Sequence, residues 1–231
     1  MGAARVAEIL ERMHAACARA GRSSADVVLI GASKGQPIER MLTAYDAGLR
    51  RLGENRVQEA EEKRPLLPAD VEWHLLGPLQ SNKVRRAIAL FDVVHSVDRL
   101  KILHSLEREA ASARKRLRIF LEVNLGGEQT KHGFAPAVVV AAAEEAVAGT
   151  ALELAGLMAI PPAGDAAEDS RPWFQQLRRL RDEVASRLGD RFGAQLSMGM
   201  SDDFEVAIEE GATHVRVGTA LFGSRDSSEP G

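Results

Sequence analysis

Short runs of β-branched and other apolar residues alternate with longer amphipathic stretches along the whole chain. Apolar runs of about four to eight residues predict buried strands, whereas apolar positions three or four residues apart predict helices. The predicted strands cover residues 27–32, 50–53, 71–76, 93–97, 118–123, 152–160, 195–198 and 214–217. The predicted helices cover residues 3–20, 38–47, 57–63, 81–89, 98–115, 135–148, 171–187 and 202–210.

Strands that alternate with helices predict right-handed βαβ crossovers and a parallel sheet. Eight such units predict an α/β fold of the TIM type, a closed (β/α)8 barrel with an extra N-terminal helix, although such barrels typically have about 250 residues. The alternative is an open doubly wound sheet, but the turn after the first strand lacks the glycine-rich dinucleotide pattern. Because no linker interrupts the alternation, residues 1–231 are interpreted as one domain, with a loop at 163–169 and a frayed tail at 226–231.

The composition is typical of a soluble globular protein, with 45% apolar and 27% charged residues. A net charge of -3 provides no electrostatic signature for a nucleic acid or an anionic membrane. No apolar run reaches the roughly 18 residues of a membrane span, and the first residues do not resemble a signal peptide. The only cysteine, Cys17, is predicted to be a small apolar helix residue, which excludes an internal disulfide. We therefore expect a cytoplasmic protein.

One lysine stands apart from the others. Active sites of such barrels lie at the carboxyl ends of the strands, and Lys34 directly follows the first buried strand. Desolvation there would disfavour the ammonium form and leave a neutral amine, which can attack a carbonyl to form a Schiff base. The alternative is a structural lysine paired with a carboxylate. The lysines at positions 63, 83, 101 and 115 lie in or beside charged helical stretches, where solvated side chains are expected.

The turns after the seventh and eighth strands are rich in small and hydroxyl-bearing residues, which suit a phosphate group. Ser201 is also a candidate N-cap for the helix that follows the seventh strand. The residues that could line a phosphate cradle are Ser197, Ser201, Gly218 and Thr219. The alternative is that both segments are ordinary capped turns.

Arg216 lies in the eighth strand, so it and His214 share one face while Val215 and Val217 share the other. An arginine that points into the barrel mouth needs an acceptor, which could be a ligand's ring nitrogen or phosphate, or a glutamate such as Glu122. His74 and His132 have no partners at metal-ligand spacing. We interpret these two histidines as polar lining or surface residues and predict no metal.

Six sequence blocks in order carry a family resemblance that covers nearly the whole chain. They are ASK at 32–34, GEN at 53–55 with VQE at 57–59, WH at 73–74 with GPLQSNK at 77–83, GLMAIP at 156–161, LSMGMSDD at 196–203, and VRVGT at 215–219 with FG at 222–223. With these blocks the chain resembles the YggS/PROSC family of pyridoxal phosphate homeostasis proteins. The resemblance implies the N-terminal barrel of alanine racemase as the fold and pyridoxal 5'-phosphate as the cofactor.

The resemblance also implies a role for each matching residue. Lys34 would form the internal aldimine, Arg216 would approach the pyridine nitrogen, and Asn55 would lie near the cofactor. The phosphate would be held by Ser197 and Ser201 with the main chain of Gly218 and Thr219. Arg56 departs from the pattern, because the family more often has an aromatic residue there.

Two functions are compatible with these residues. The first is a binding protein that holds pyridoxal phosphate as a reversible aldimine, buffers it and passes it to apo-enzymes that require it. The alternative is an amino-acid racemase or lyase with a one-base mechanism at Lys34. Two-base racemisation would need a tyrosine opposite Lys34 from a partner's β-domain, and the only tyrosine, Tyr45, is predicted on the helix after the first strand. A cationic Arg216 at the ring nitrogen would also weaken the electron sink.

The absence of a racemase β-domain favours a monomer. A third interpretation is a barrel for another phosphorylated metabolite, with Lys34 merely ion-paired.

Overall fold

The chain forms a closed barrel of eight parallel strands in the computed structural model, which describes residues 2–128 and 130–224. Each strand pairs with the next along the chain, and the eighth pairs with the first. The strands are β1 (Val28–Ala32), β2 (Arg51–Glu54), β3 (Glu72–Leu75), β4 (Val93–Val97), β5 (Leu117–Glu122), β6 (Leu152–Met158), β7 (Gln195–Ser197) and β8 (His214–Val217). The predicted barrel is confirmed. The tail predicted at 226–231 lies outside the described residues.

Helices surround the strands in the order that the sequence predicts. They are α1 (Gly2–Arg19), α2 (Ile38–Asp46), α3 (Val57–Lys63), α4 (Val84–Leu90), α5 (Leu100–Ser112), α6 (Val139–Ala146), α7 (Arg171–Leu188), α8 (Phe204–Glu209) and α9 (Thr219–Phe222). The short helix α9 is not predicted, because four residues are too few for a helical period. Four helices, α4, α5, α6 and α8, begin two to four residues later than predicted, and 3₁₀ turns at Ser81–Lys83 and Pro136–Val138 precede two of them, α4 and α6.

The extra N-terminal helix α1 fills a position in the outer ring of helices. Its buried side chains, including Val6, Ile9, Met13 and Cys17, recur every three or four residues and form one face. That face packs against α2, α8 and α9. Because α8 and α9 are short, α1 supplies much of the apolar cover in this part of the ring. The interpretation of Cys17 as a small buried apolar residue is confirmed.

Two apolar regions lie on opposite sides of the strands. Val215 and Val217 belong to the large core between strands and helices, whereas His214 is surrounded by aromatic rings inside the barrel. The alternation predicted for β8 is therefore confirmed. The interior also holds a small apolar cluster of Val93, Phe120, Ala155 and Met158. Towards the carboxyl ends of the strands the interior becomes polar and opens into a cavity.

Candidate functional site

A cavity of about 520 Å³ opens at the carboxyl ends of the strands. Strand direction explains its position, because the loops that follow all eight parallel strands meet at this end of the barrel. Six of the seven predicted site residues line it: Lys34, Asn55, Ser201, Arg216, Gly218 and Thr219. The seventh, Ser197, lies beneath the cavity and is fully buried. The structure thus brings residues from four of the barrel's loops or strand ends into one site.

Lys34 reaches the cavity wall from the turn after β1. The structure gives its side chain no hydrogen bond and no ion pair with any described residue. Among residues 2–128 and 130–224, no carboxylate pairs with Lys34, so the alternative of a structural, ion-paired lysine is not supported. The residue is half-buried, so its desolvation is only partial rather than as complete as the sequence suggests. An unpaired amine at a cavity wall can react with an electrophile that enters the cavity.

The part of the wall formed after β7 and β8, next to β1, offers hydrogen-bond donors to an anion. The Ser201 hydroxyl oxygen accepts from the main-chain N–H of Gly218 at 3.3 Å and of Ala220 at 3.4 Å. Because the oxygen acts only as an acceptor there, its proton has no acceptor among the described residues. A Cβ at Gly218 would lie 3.2 Å from the Ala32 carbonyl oxygen, so the small residue lets the chain after β8 lie close to the end of β1. Hydroxyl and main-chain donors of this kind suit phosphate oxygens.

The prediction that Ser201 caps a helix is wrong. Helix α8 begins at Phe204, with Asp203 before it. The Asp203 carboxylate accepts from the Met200 N–H at 2.7 Å and from the Ser170 hydroxyl at 2.8 Å. These bonds form a turn ahead of the helix, which leaves the Ser201 side chain directed at the start of α9.

Arg216 extends from β8 to the cavity, and its cationic side chain is buried. Its guanidinium donates to the Ser197 carbonyl at 2.9 Å, to the Ser197 hydroxyl at 2.8 Å and to the Ala159 carbonyl at 2.9 Å. Burial lowers the pKa of Arg216 to about 10, partly offset by the Glu122 carboxylate, so the group stays charged at neutral pH. An ion pair with Glu122, the alternative considered for this arginine, is not formed. Neutral oxygens anchor the guanidinium instead.

Ser197 acts on Arg216 rather than on the cavity, which differs from the predicted phosphate contact. Its oxygen accepts from the guanidinium and is also hydrogen-bonded to His95 Nδ1, 2.8 Å away. His95 Nε2 is hydrogen-bonded in turn to His74 Nδ1 at 2.8 Å, so one of these two ring nitrogens carries a proton. Burial lowers the pKa of His74 to about 3 and that of His95 well below its usual value, so both rings are neutral. A chain of hydrogen bonds thus leads from Arg216 through Ser197 and His95 to His74 in the barrel interior.

His95 was not predicted, and His74 was expected to line the cavity or lie on the surface. Both lie wholly inside the barrel. Strand alternation contains the missing signal, because His74 is flanked by Trp73 and Leu75 of the outer core, and His95 lies two residues after the inward-facing Val93. The described residues contain no group of three His, Cys, Asp or Glu side chains that could hold a metal ion.

Glu122 is the acidic residue at the end of β5, and it also lines the cavity. Burial raises its pKa to about 7, and the nearby Asp98 carboxylate adds to this effect while Arg216 and His132 oppose it. Asp98 is itself paired with Arg99 at 2.6 Å and with His132 Nδ1 at 3.1 Å. His132 itself lines the cavity, in agreement with its interpretation as a polar lining or surface residue.

The remaining predicted positions fall into two groups. Asn55 lines the cavity, and a Cβ at Gly77 would collide with the Asn55 carbonyl, so the turns after β2 and β3 are in close contact. Arg56 is exposed and does not line the cavity. Tyr45 donates to Asp70 at 2.6 Å near the start of β3, at the other end of the barrel. No tyrosine hydroxyl faces Lys34, since Tyr45 is the only tyrosine of the chain.

Comparison with known proteins gives the chain its family. A family model described as the alanine racemase N-terminal domain matches residues 5–226. A pyridoxal phosphate homeostasis protein of Aquifex aeolicus is 44% identical over 96% of this chain and 97% of its own length. One of Pseudomonas aeruginosa is 43% identical over 97% of this chain and 96% of its own length. The chain belongs to the pyridoxal phosphate homeostasis protein family. The family resemblance found in the sequence is thereby confirmed.

Solved structures agree with this membership. PipY of Synechococcus elongatus, with pyridoxal phosphate bound, is 38% identical, with a TM-score of 0.81 over 93% of this chain and all of PipY. Alanine racemase of Clostridium difficile is 15% identical, with a TM-score of 0.73 over 97% of this chain and 58% of the racemase, which shows a shared fold alone. PipY and the alanine racemase thus share the barrel described above.

Proposed function

We propose that this protein binds pyridoxal 5'-phosphate reversibly through a Schiff base on Lys34 and serves in its intracellular homeostasis. The observation that carries the proposal is the Lys34 amine, which lines the cavity without a partner among the described residues. The bound aldehyde supplies an electrophilic carbon. The Lys34 amine would add to that carbon, with a C–N bond formed and the carbonyl oxygen lost as water. Hydrolysis reverses the step and returns the aldehyde, as a carrier requires.

The other lining residues complement the rest of the ligand. Ser201 and the main chain at Gly218 and Thr219 would receive the phosphate, and Arg216 would face the pyridine nitrogen. Asn55 would lie beside the ring. Ser197 would act through Arg216, because its hydroxyl oxygen accepts a hydrogen bond from the guanidinium. PipY, 38% identical to this chain, was solved with pyridoxal phosphate bound, which supports this proposal.

Binding and transfer, rather than turnover of amino acids, agree better with the charges in the cavity. Arg216 keeps its positive charge at neutral pH and would oppose protonation of the ring nitrogen, which weakens the electron sink that carbanion chemistry needs. Tyr45, at the far end of the barrel, cannot act as a second base. The recipients would be apo-enzymes that require the cofactor. We place the protein in the cytoplasm as part of this proposal; no described helix has the length and apolar character to cross a membrane.

Stoichiometric labelling tests the function. The protein is mixed with one equivalent of pyridoxal phosphate, reduced with borohydride and mapped by peptide mass spectrometry. We expect one modified peptide, which carries Lys34, and an absorbance band near the visible edge that Lys34→Ala abolishes. Lys131→Ala is the control, since Lys131 also lines the cavity but pairs with Glu128. A band that survives in Lys34→Ala, or label on another lysine, contradicts the proposal.

A panel of D- and L-amino acids separates the two functions. The loaded protein should racemise or cleave them no faster than free pyridoxal phosphate does. Turnover above that rate, lost in Lys34→Ala, would favour the one-base racemase or lyase instead.

A further inference from the structure

Lys63 lies at the end of α3, where the sequence predicts a solvated side chain. That prediction is wrong, because only 13% of its side chain is exposed. Its ammonium group makes three contacts, with the Ser33 carbonyl at 2.8 Å, Glu54 Oε1 at 2.7 Å and Glu59 Oε2 at 3.2 Å. An ammonium has three N–H donors, so this group is fully used.

The contacts converge on the turn that carries Lys34. The Gln36 N–H donates to the Ser33 carbonyl at 3.0 Å and closes a turn with Lys34 and Gly35 at its centre. Gly35 has a φ of +63°, as the third residue of a type II turn requires. The peptide N–H of Gly35 donates to Glu59 Oε2 at 3.0 Å. The peptide before Lys34 is thus bonded by Lys63, and the peptide after it by Glu59.

Glu54 completes the cluster from the end of β2. Its side chain is fully buried, and Oε1 also accepts from the Ser33 hydroxyl at 2.7 Å. Burial would raise the pKa of Glu59, but hydrogen bonds from the Gly35 N–H and from Lys63 outweigh it, so its net pKa is lowered. Glu59 therefore remains an anionic acceptor at neutral pH. No atom of this cluster lines the cavity, so its effect on a ligand must pass through Lys34.

We propose that Lys63 and Glu59 are positioning residues that hold the Lys34 turn so that its amine meets an aldehyde in the cavity. This inference rests on the proposed function. Two bonded peptides on either side of one Cα restrict the direction in which the Lys34 side chain leaves the backbone. The amine itself stays free of partners and able to react.

Two variants loosen the turn in different ways. Glu59→Ala removes the acceptor of the Gly35 N–H and keeps the Lys63–Glu54 pair. The double variant Lys63→Met with Glu54→Gln removes both charges together, so that no buried carboxylate is left unpaired. Glu59→Gln keeps an acceptor oxygen for the Gly35 N–H, so its rate of Schiff-base formation should be close to that of the wild type. Lys115→Met is the matched control, because Lys115 also bonds two main-chain carbonyls, those of Ile88 and Phe91, away from the cavity.

The measurement compares two ligands. Schiff-base formation is followed by absorbance on mixing with pyridoxal phosphate and by borohydride trapping on Lys34. Binding of pyridoxine 5'-phosphate, which has an alcohol in place of the aldehyde, is measured by calorimetry. We expect Schiff-base formation to slow about tenfold or more in Glu59→Ala and in the double variant, since a displacement of about 1 Å costs up to about 100-fold in rate. Pyridoxine 5'-phosphate affinity should stay within about twofold, as should both quantities in Lys115→Met.

Unchanged Schiff-base formation in Glu59→Ala overturns the inference, as does an equal loss of affinity for pyridoxine 5'-phosphate, which would indicate collapse of the whole site. If the double variant fails to fold, Glu59→Ala and its Gln counterpart still decide the question. Failure of the proposed function is distinguishable, because the wild-type protein would then show no adduct on Lys34.

Discussion

Ser201 and Glu122 line the same cavity, but their side chains favour different chemistry. Ser201 has a hydroxyl proton without an acceptor among the described residues, beside main-chain N–H groups. Glu122 has a buried carboxyl group near a second acidic residue, Asp98. Ser201 therefore favours an anion in the cavity, whereas Glu122 favours the protonated form of its own carboxyl group. Each leads to a measurable consequence.

Ser201→Ala should weaken the binding of pyridoxal phosphate about 10- to 100-fold, because a hydrogen bond to a charged group contributes about 1.5–3 kcal/mol. Pyridoxal, which lacks the phosphate, should bind equally well to both proteins. Titrations of the two ligands followed by absorbance make the comparison. Ser81→Ala, at an exposed serine in the loop after β3, is the control. Equal losses for pyridoxal and pyridoxal phosphate would show that Ser201 does not contact the phosphate.

Glu122→Gln should stabilise the protein at pH 8 and change its stability little at pH 5. The folded pKa of Glu122 is raised from 4.5 to about 7, so the native state retains a proton that the unfolded chain releases, and wild-type stability falls as pH rises between these values. Glutamine removes that loss, which is at most about 3 kcal/mol at about 1.4 kcal/mol per pKa unit. Urea unfolding at both pH values measures the difference.

The matched control for Glu122→Gln is Glu128→Gln, at an exposed glutamate on the next loop. It should show little change at either pH. A Glu122→Gln protein that is less stable than wild type at pH 8 would mean that attraction to Arg216 outweighs the burial of the carboxylate.

At the scale of elements, β6 shows how closely the strands of this barrel approach each other. The pairing with β5 shifts register between Ile119 and Phe120, so Ala155 is an extra residue on β6. Gly156 follows directly and pairs with Gln195 of β7. A Cβ at Gly156 would collide with the Gln195 carbonyl oxygen. Glycine is required there by the approach of a neighbouring backbone.

Gly156→Ala should therefore lower the free energy of unfolding by about 3 kcal/mol, because a fixed backbone cannot move aside as a side chain can. Urea denaturation followed by circular dichroism measures this change. A loss below about 0.5 kcal/mol, the usual range for surface substitutions, would show that β6 and β7 can separate without cost.

At the scale of the whole molecule, apolar groups on the surface are scattered. The large apolar side chains exposed among residues 2–128 and 130–224 lie on different elements or loops: Leu10, Leu66, Leu100, Val138, Ile160 and Met200. Two of these, Ile160 and Met200, line the cavity mouth. A stable interface between copies would need a contiguous patch rather than separate residues.

We therefore predict a monomer. Sedimentation velocity should give a single species near 25.0 kDa whose apparent mass does not change with protein concentration. A species of twice that mass at micromolar concentration would contradict the prediction.

The local sequence was sufficient for the barrel and for several residues of the cavity wall. Strand and helix periods, together with the rule that sites lie at the carboxyl ends of barrel strands, placed Lys34, Ser201, Arg216, Gly218 and Thr219 at one cavity, and the family resemblance added Asn55. These inferences succeed because each depends on one element and the turn that follows it. The amphipathic period of α1 likewise predicts its buried face from α1 alone.

Contacts between elements could not be obtained in this way. The burial of Lys63 depends on Ser33 and Glu54 approaching from two neighbouring strands, and the role of Ser197 depends on Arg216 and His95 from two others. Local pattern determines which face of a strand or helix is apolar, because that face is set by the backbone period. Only the closed barrel determines which polar groups meet inside it, since their partners come from distant parts of the chain and are chosen by the register of the strands.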